Sequence, residues 1–568
     1  MKVASSAGDD PVFDWIIVGG GSAGCVLANR LSADPSRRVL LIEAGIDTPP
    51  GAEPADIRDV FPKSYSQPAY TWPELRARMR STDPPGAVAR YEQARVMGGG
   101  SSLMGMYALR GLPGDYDEWA ALGADGWGWH DVLPSFLRLE RDLDFNDAAH
   151  GQDGPYPIRR HRRDEWPPFC EAVAKALQSR GYPFIADLNS GFDDGFGPIP
   201  MSNLPDQRVS AAMAFLGPEV RRRPNLRIES GMTVETLRLE GRRVTGVAAR
   251  RAGHRHGFRA GEVIVAAGAL HSPALLQRAG IGPSVHLQAL GIPVVADRPG
   301  VGANLQNHPR VSLSAWLKPP GRQPAALRPL TFSLLRYSSG VSGCGPSDML
   351  LGNWNRSSWH ALGRRIATLH AAVYKPFSRG RVQIDSADPT REPRIDFNAL
   401  SDPRDRIRLV RGLAFLLELV DDPAVAPLLG ERFAPSASGF VRRLNRPSPG
   451  NGLIAGLAAA GMDSSATLRR RLLSAAGPSM DTIGSGDDAL DAFVRRSVGS
   501  MFHPAGTCRI GRPDDPDAVV DPQLRVLGVT GLRVVDASVM PTLVRANTNL
   551  PVTMIAEHAA RMVRGDRP

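Results

Sequence analysis

Short, unbroken apolar runs alternate with helical periodicity at the start of the chain and again near its end. Trp15-Ile16-Ile17-Val18 has no polar residue alternating with the apolar ones, which predicts a strand buried on both faces. Cys25–Leu31 suits a helix, and Val39-Leu40-Leu41-Ile42 is a second buried strand. Gly19-x-Gly21-x-x-Gly24 lies between the first strand and the helix, and Glu43 ends the second strand. Strand, glycine turn, helix, strand and acid within about 30 residues is the dinucleotide-binding unit. Gly19 permits the tight turn, Gly21 lets backbone approach a pyrophosphate, and Gly24 lets helix and strand pack closely. Ser22 and Ala23 open the helix, whose N-terminal N–H groups and dipole favour phosphate. Glu43, followed by Ala44, can accept hydrogen bonds from an adenosine ribose. Taken alone, this unit leaves NAD and FAD equally open.

Further along, Asp115–Arg141 carries helical periodicity and three tryptophans, read as core packing. Val244–Val247 follows a Gly-Arg-Arg turn, as a hairpin would. Glu262–Gly268 is another buried strand ending in small residues, with a helix after it through Pro273–Leu276. Gly531–Ser538 repeats the pattern of a strand ending in an acid and small residues, and Met554–Val563 is a helix. Between them, Ala367–Val373 and Val382–Asp385 predict strands and Asp405–Leu419 a helix. Ala44–Arg90 reads as an excursion over the nucleotide-binding part without packed elements, and Ala434–Ser485 as loop-like or loosely helical.

The chain has 568 residues, too many for one core, so two or more domains are expected. No apolar run reaches 18 residues, and no apolar segment of the signal-peptide kind precedes the first strand. Four scattered cysteines without a CxxC pair point to a reducing, cytoplasmic setting and to neither a disulfide framework nor a metal site. The net charge of +10 includes the runs Arg159–Arg163, Arg221–Arg223 and Arg469–Arg471. They lack interleaved aromatics and any binding motif, so they read as solvated faces and no nucleic-acid partner is expected.

The stretches Ala94–Gly111 (ARVMGGGSSLMGMYALRG), Gly268–Gly282, Pro299–Pro309 (PGVGANLQNHP), Phe502–Gly511, Gly531–Thr542 and Ala546–Ala560 occur in order. With the N-terminal unit they resemble the glucose–methanol–choline (GMC) flavin-dependent oxidoreductases over nearly the whole chain. Within that family the similarity is greatest to the 5-(hydroxymethyl)furfural and aryl-alcohol oxidases. The resemblance implies an α/β fold: a Rossmann-like FAD-binding domain from residues 1–160, 205–310 and 500–568, and an α+β substrate-binding domain, an antiparallel sheet flanked by helices, from 161–204 and 311–499. It implies FAD as cofactor and oxidation of a primary alcohol, aromatic or furanic, with O2 or another electron acceptor. A choline-like dehydrogenase, or a lyase on the same fold, is the alternative. A choline-like substrate favours an aromatic cage with an acid, and no cage is evident at 6% aromatic residues.

Carried over by motif, His503 matches the family's catalytic histidine, and Asn547 the position that holds His or Asn. Asn547 can hydrogen-bond the substrate oxygen but cannot act as a base, which leaves that role to His503. Gly19, Gly21, Gly24, Met97, Gly99, Gly100, Ser101, Asp536, Ala537 and Thr548 are expected near the diphosphate and flavin ring, Glu43 and Ala44 at the ribose, and Val234 at adenine. Phe502, Met104, His370 and Ala372 are expected to line the substrate pocket. The chain departs from the family pattern at Met104, where Asn is usual, at Ala279 (usually Ser) and at Asn307 (usually Asp). Some members attach the flavin covalently through a histidine of the first signature. None occurs between Tyr91 and Gly111, so FAD is expected to be held non-covalently.

Overall fold

The computed structural model describes residues 12–84, 87–435, 438–480, 483 and 486–565. Two sheets organise it. The first runs in the order Leu226–Glu229, Val39–Ile42, Phe13–Val18, His254–Val265, Arg243–Arg251, Thr233–Glu240, with Leu532–Val534 also paired to His254–Val265. Five of these segments pair in parallel and the last three strands of the order form an antiparallel meander. The strand His254–Val265 belongs to both parts, and its burial shows it. Its first eight residues are exposed except Phe258 and Ala260, whereas Val263, Ile264 and Val265 are fully buried. The half with helices on its faces needs a continuous apolar run, and the half that sees water alternates. The helix Ser22–Leu31 packs against the strands that flank it and against the last helix, Asn549–Arg564.

The second sheet is antiparallel, in the order Leu429–Phe433, Pro309–Leu317, Ile366–Val373, Met349–Trp354, Ser333–Tyr337, Gly195–Pro198. Its alternate residues serve two cores. Leu351, Leu369 and Ala371 face the helix Pro403–Asp421 and the second core, while Leu334, Leu350 and Ala372 join the core of the first sheet. This is the architecture implied by the resemblance, a Rossmann-like sheet beside an antiparallel sheet with helices.

One expectation needs correction and another is narrowed. Ala44–Arg90 does contain packed elements: Arg76–Arg78 and Ala89–Arg90 join a four-stranded sheet with Arg381–Gln383 and Arg394–Asp396, and Ile57 and Leu75 are fully buried. The pairing partners lie some 300 residues away, out of reach of local periodicity. Ala434–Ser485 is helical over Gly439–Leu444, Pro449–Ser464 and Ala466–Ala476, and residues 436, 437, 481, 482, 484 and 485 of it lie outside the described residues. Ser438, Ser448 and Ser465 start these helices, each accepting a backbone N–H three residues on. The tryptophans Trp119 and Trp127 are fully buried core, as read from the sequence. In the basic runs, Arg160 pairs with Asp142 and Asp187, Arg221 with Asp47 and Arg469 with Glu431. Among the described residues no helix is long and apolar enough to cross a membrane.

Candidate active site

A cavity of about 820 Å³ lies between the two sheets, at the carboxyl ends of the parallel strands. On the side of the first sheet its wall includes Gly19, Gly21, Ser22, Ala23, Glu43, Ala44, Gly99, Gly100, Ser101, Val234, Asp536, Ala537 and Thr548. On the other side are Tyr65, Met104, Arg310, Trp354, Phe502, His503 and Asn547.

The first wall is built to take a flat, doubly phosphorylated molecule. Gly19 has φ +107°, and a Cβ there would lie 2.5 Å from the carbonyl oxygen of Ala266. A Cβ on Gly24 would lie 1.9 Å from the carbonyl oxygen of Gly19, so Gly24 is what lets the helix touch the strand, without itself reaching the cavity. At Gly21 the nearest atom would be 4.0 Å from such a Cβ, and at Gly100 there is nothing within 4 Å. Side chains at these two positions would fill the cradle. Two helices, Ser22–Leu31 and Asn549–Arg564, end on this wall with neither a side-chain cap nor an acid in the first turn. Their free N–H groups and dipoles form an anion site, and Ser22 Oγ donates to Asn549 Oδ1 at 2.8 Å to tie the two ends together. The residues present therefore fit FAD.

Two carboxylates of this wall, Glu43 and Asp536, hold the backbone around it. Glu43 accepts the Gly20 and Gly45 N–H groups, each at 2.7 Å, and burial raises its pKa. Asp536 accepts from Gly268 N–H at 2.8 Å, Ser538 N–H at 2.8 Å and Ser272 Oγ at 2.5 Å, and burial raises its pKa too. Ser101 Oγ donates to the Gly98 carbonyl at 2.6 Å and accepts Ala211 N–H at 2.8 Å, which shapes the glycine loop. Met97 is corrected: its side chain is fully buried in the first core and does not reach the cavity. It fills the space beside Gly20, where a Cβ would lie 2.5 Å from its sulfur.

At the opposite end four side chains form a chain of hydrogen bonds that places the His503 proton on Nδ1. Tyr374 O–H donates to Asn547 Oδ1 at 3.0 Å. The Asn547 amide nitrogen therefore faces His503 Nε2, at 3.2 Å, and it can only donate. Nε2 is then the unprotonated nitrogen, and the His503 proton sits on Nδ1, which donates to His308 Nδ1 at 2.8 Å. His308 stacks on Tyr374 with ring centroids 4.2 Å apart. The His503 backbone is held as well: its N–H donates to Asn307 Oδ1 at 2.9 Å, and Asn307 Nδ2 donates to Ser500 Oγ at 2.7 Å. An amide at position 307 serves because one of these bonds needs an acceptor and the other a donor. Phe502 has φ +61°, a strained conformation for a bulky residue immediately before His503. Burial, then the Arg310 cation, bring the His503 pKa down to about 3, so its imidazole is neutral at pH 7. The arrangement leaves one lone pair, on Nε2, which accepts from the Asn547 amide until a substrate hydroxyl takes that place.

Five residues of this end were not singled out in the sequence: Tyr65, His308, Arg310, Trp354 and Tyr374. His308 lies in the quoted segment Asn307-His308-Pro309, but nothing local marks it off from a structural histidine. The assignment of His370 and Ala372 to the pocket is corrected. Strand alternation puts both on the sheet face that looks toward the cavity, yet neither reaches it. His370 is covered by Trp354, 5.0 Å away between ring centroids, and sits against Gly352, where a Cβ would lie 2.4 Å from its ring. Ala372 is fully buried in register between Arg310 and Leu350, too short to extend past them. Met104 is on the wall, with its carbonyl accepting from Arg208 Nη1 at 2.6 Å.

Comparison with known proteins adds to this geometry. Residues 13–310 and 376–556 match the N-terminal and C-terminal family models of GMC oxidoreductases. The chain is 43% identical to a 5-(hydroxymethyl)furfural oxidase of a Methylovorus species, over 97% of this chain and 98% of that protein. It is 32% identical to an oxygen-dependent choline dehydrogenase of Photobacterium profundum, over 98% and 94%. Among solved structures, pyridoxine 4-oxidase from Mesorbium loti superposes with a TM-score of 0.81 at 31% identity, covering 98% of this chain and 100% of that one.

Proposed function

The chain belongs to the GMC oxidoreductases, FAD-dependent enzymes, and from that membership we propose that it oxidises a primary alcohol borne on an aromatic or furan ring to the aldehyde, with O2 as the electron acceptor. The observation that carries this reading is the single lone pair of His503 Nε2, beside the Asn547 amide donor, at one end of a cavity walled by Tyr65, Trp354 and Phe502. When bound, FAD supplies the acceptor for the hydride that leaves the carbinol carbon. The residues present then divide the work. His503 takes the hydroxyl proton at Nε2, and its proton on Nδ1 stays with His308. Asn547 Nδ2 donates to the substrate oxygen as charge develops there. The aromatic side chains take the faces and edges of a flat ring and exclude water from it.

The cradle around Gly21 and Gly100 would hold the diphosphate non-covalently, with Val234 toward adenine. Residues 1–160, 205–310 and 500–568 would form the FAD-binding domain and the remainder the substrate domain. The free cysteines, Cys25, Cys170, Cys344 and Cys508, support a cytoplasmic setting. A choline-like cation is disfavoured by Arg310 in the cavity wall. The test is a substrate screen of the purified holoenzyme, anaerobic for flavin bleaching and aerobic for peroxide. Ring-borne primary alcohols should bleach the flavin and yield peroxide, bleaching without peroxide would make the protein a dehydrogenase, and bleaching by choline alone would overturn the substrate class.

A further inference from the structure

Arg310 is the residue of the cavity that the reaction above leaves unexplained. Its neighbours in the sheet are small, Ala372 on one side and Gly499 on the other, so its stem lies flat over Gly499. Its guanidinium carbon sits 5.0 Å over the Trp354 ring. Nε and Nη1 are shut off from solvent, and among the described residues neither has a hydrogen-bond partner. The groups acting on its charge are the hydroxyls of Tyr65, Tyr107 and Tyr374, and burial raises the pKa of each so that all three stay neutral. A guanidinium cannot shed its charge at ordinary pH, so the cost of desolvating it is met only by an anion or by strong acceptors.

Of the other arginines of the wall, Arg250 pairs with Glu235 and Arg278 donates to the Arg391 carbonyl. Arg95 lies over the ring of Trp72, on the side of the wall away from Trp354, with its Nε also buried and, among the described residues, without a partner. Arg310 also has a fixed relation to the reacting end. It lies two residues after His308, at the start of the strand Pro309–Leu317, and its cation acts on His503, with which it shares the cavity wall. His308 in turn holds His503. A planar ring lying along Trp354 can therefore meet His503 at one substituent and Arg310 at another.

We propose that Arg310 is the specificity-determining residue of this cavity, and that the preferred substrate is a ring-borne primary alcohol carrying a carboxylate across the ring, received by the part of the guanidinium that faces the cavity. A guanidinium N–H and a carboxylate oxygen make a charge-assisted hydrogen bond. The proposal rests on the alcohol-oxidising reading above and narrows it. It has a consequence for the base: a carboxylate on Arg310 cancels the cation that holds His503 down, so the imidazole becomes a better proton acceptor when the right substrate is present.

The experiment compares 4-(hydroxymethyl)benzoate with its methyl ester as substrates of the holoenzyme, in the wild type and in Arg310→Met and Arg310→Lys. Benzoate alone is titrated in parallel, followed by the perturbation of flavin absorbance. The wild type should favour the acid over the ester in kcat/KM by about tenfold or more, the usual scale for a buried charge-assisted pair. That ratio should collapse or invert in Arg310→Met and be intermediate in Arg310→Lys, which keeps the charge but loses the fork. Benzoate affinity should fall by a similar factor in Arg310→Met. Equal use of acid and ester by the wild type, or an equal loss on both in the variant, would overturn the role of Arg310 and leave the alcohol-oxidising reading standing. If neither compound bleaches the flavin, the alcohol-oxidising reading fails, and the benzoate titration still decides on Arg310: unchanged affinity in Arg310→Met refutes the anion site. Should Arg310→Met fail to fold, the wild-type preference and Arg310→Lys carry the test.

Discussion

Replacing His308 by Phe should slow hydride transfer without displacing the cofactor. Phe keeps the ring that stacks on Tyr374 at 4.2 Å, and His308 is not part of the cavity wall, so fold and FAD content should persist. What disappears is the acceptor 2.8 Å from His503 Nδ1. A buried N–H left without a partner costs about 1–3 kcal/mol. His503 escapes that cost by moving its proton to Nε2, where it opposes the Asn547 amide donor and no lone pair is left for the substrate. At about 1.4 kcal/mol per factor of ten, a penalty of about 2 kcal/mol leaves roughly one molecule in 30 with the competent tautomer. The rate of anaerobic flavin reduction, measured by stopped flow at saturating alcohol, should fall by about 10- to 100-fold. His308→Gln places an acceptor oxygen near the same point and should recover part of the loss, which a purely structural role would not explain. A His308→Phe rate within about threefold of wild type, with full flavin content, would refute the proton assignment.

Tyr374→Phe removes the bond that orients Asn547. It should lower flavin reduction about fivefold, the equivalent of about 1 kcal/mol for one hydrogen bond, and is read in the same stopped-flow assay. Gly24→Ala puts a methyl 1.9 Å from the Gly19 carbonyl oxygen and forces helix from strand at the cradle. Purified protein should lose most of its flavin absorbance at 450 nm relative to 280 nm. Acid should destabilise the fold through buried neutral histidines, since burial lowers His360 and His558 to about 4. Their folded pKa values lie below the unfolded value, so the unfolded chain binds more protons between about pH 6.5 and 4 and stability drops as pH falls through that window. Each contributes at most about 3 kcal/mol. Tm should fall steadily from pH 7 to 4.5 and stay flat from 7 to 9 as far as these groups are concerned. Converting one of them to an isosteric amide, His558→Asn, should flatten the acid slope.

The sequence alone determined the cofactor cradle. Gly19, Gly21, Gly24 and Glu43 act through backbone shape over some 25 contiguous residues, so spacing is enough to read them. The chain's ordered motifs also implied the fold class, through their resemblance to a known family, and marked His503 and Asn547 in the same way. Tertiary structure decided what surrounds that pair. His308, Tyr374 and Arg310 come to His503 from strands nearly 200 and 130 residues away in the chain. Nothing in their local context distinguishes them from core residues. The errors have the same origin. The resemblance assigned His370 and Ala372 to the pocket, and both do lie on the sheet face toward it, but a face is a direction, and only packing shows that Trp354 and Arg310 stand in front of them. Met97 was placed at the cavity for its position in the glycine loop, and packing turned its side chain into the core instead. Periodicity and spacing are local quantities, whereas a catalytic proton's location and a buried charge's lack of a partner depend on which distant segments close around them.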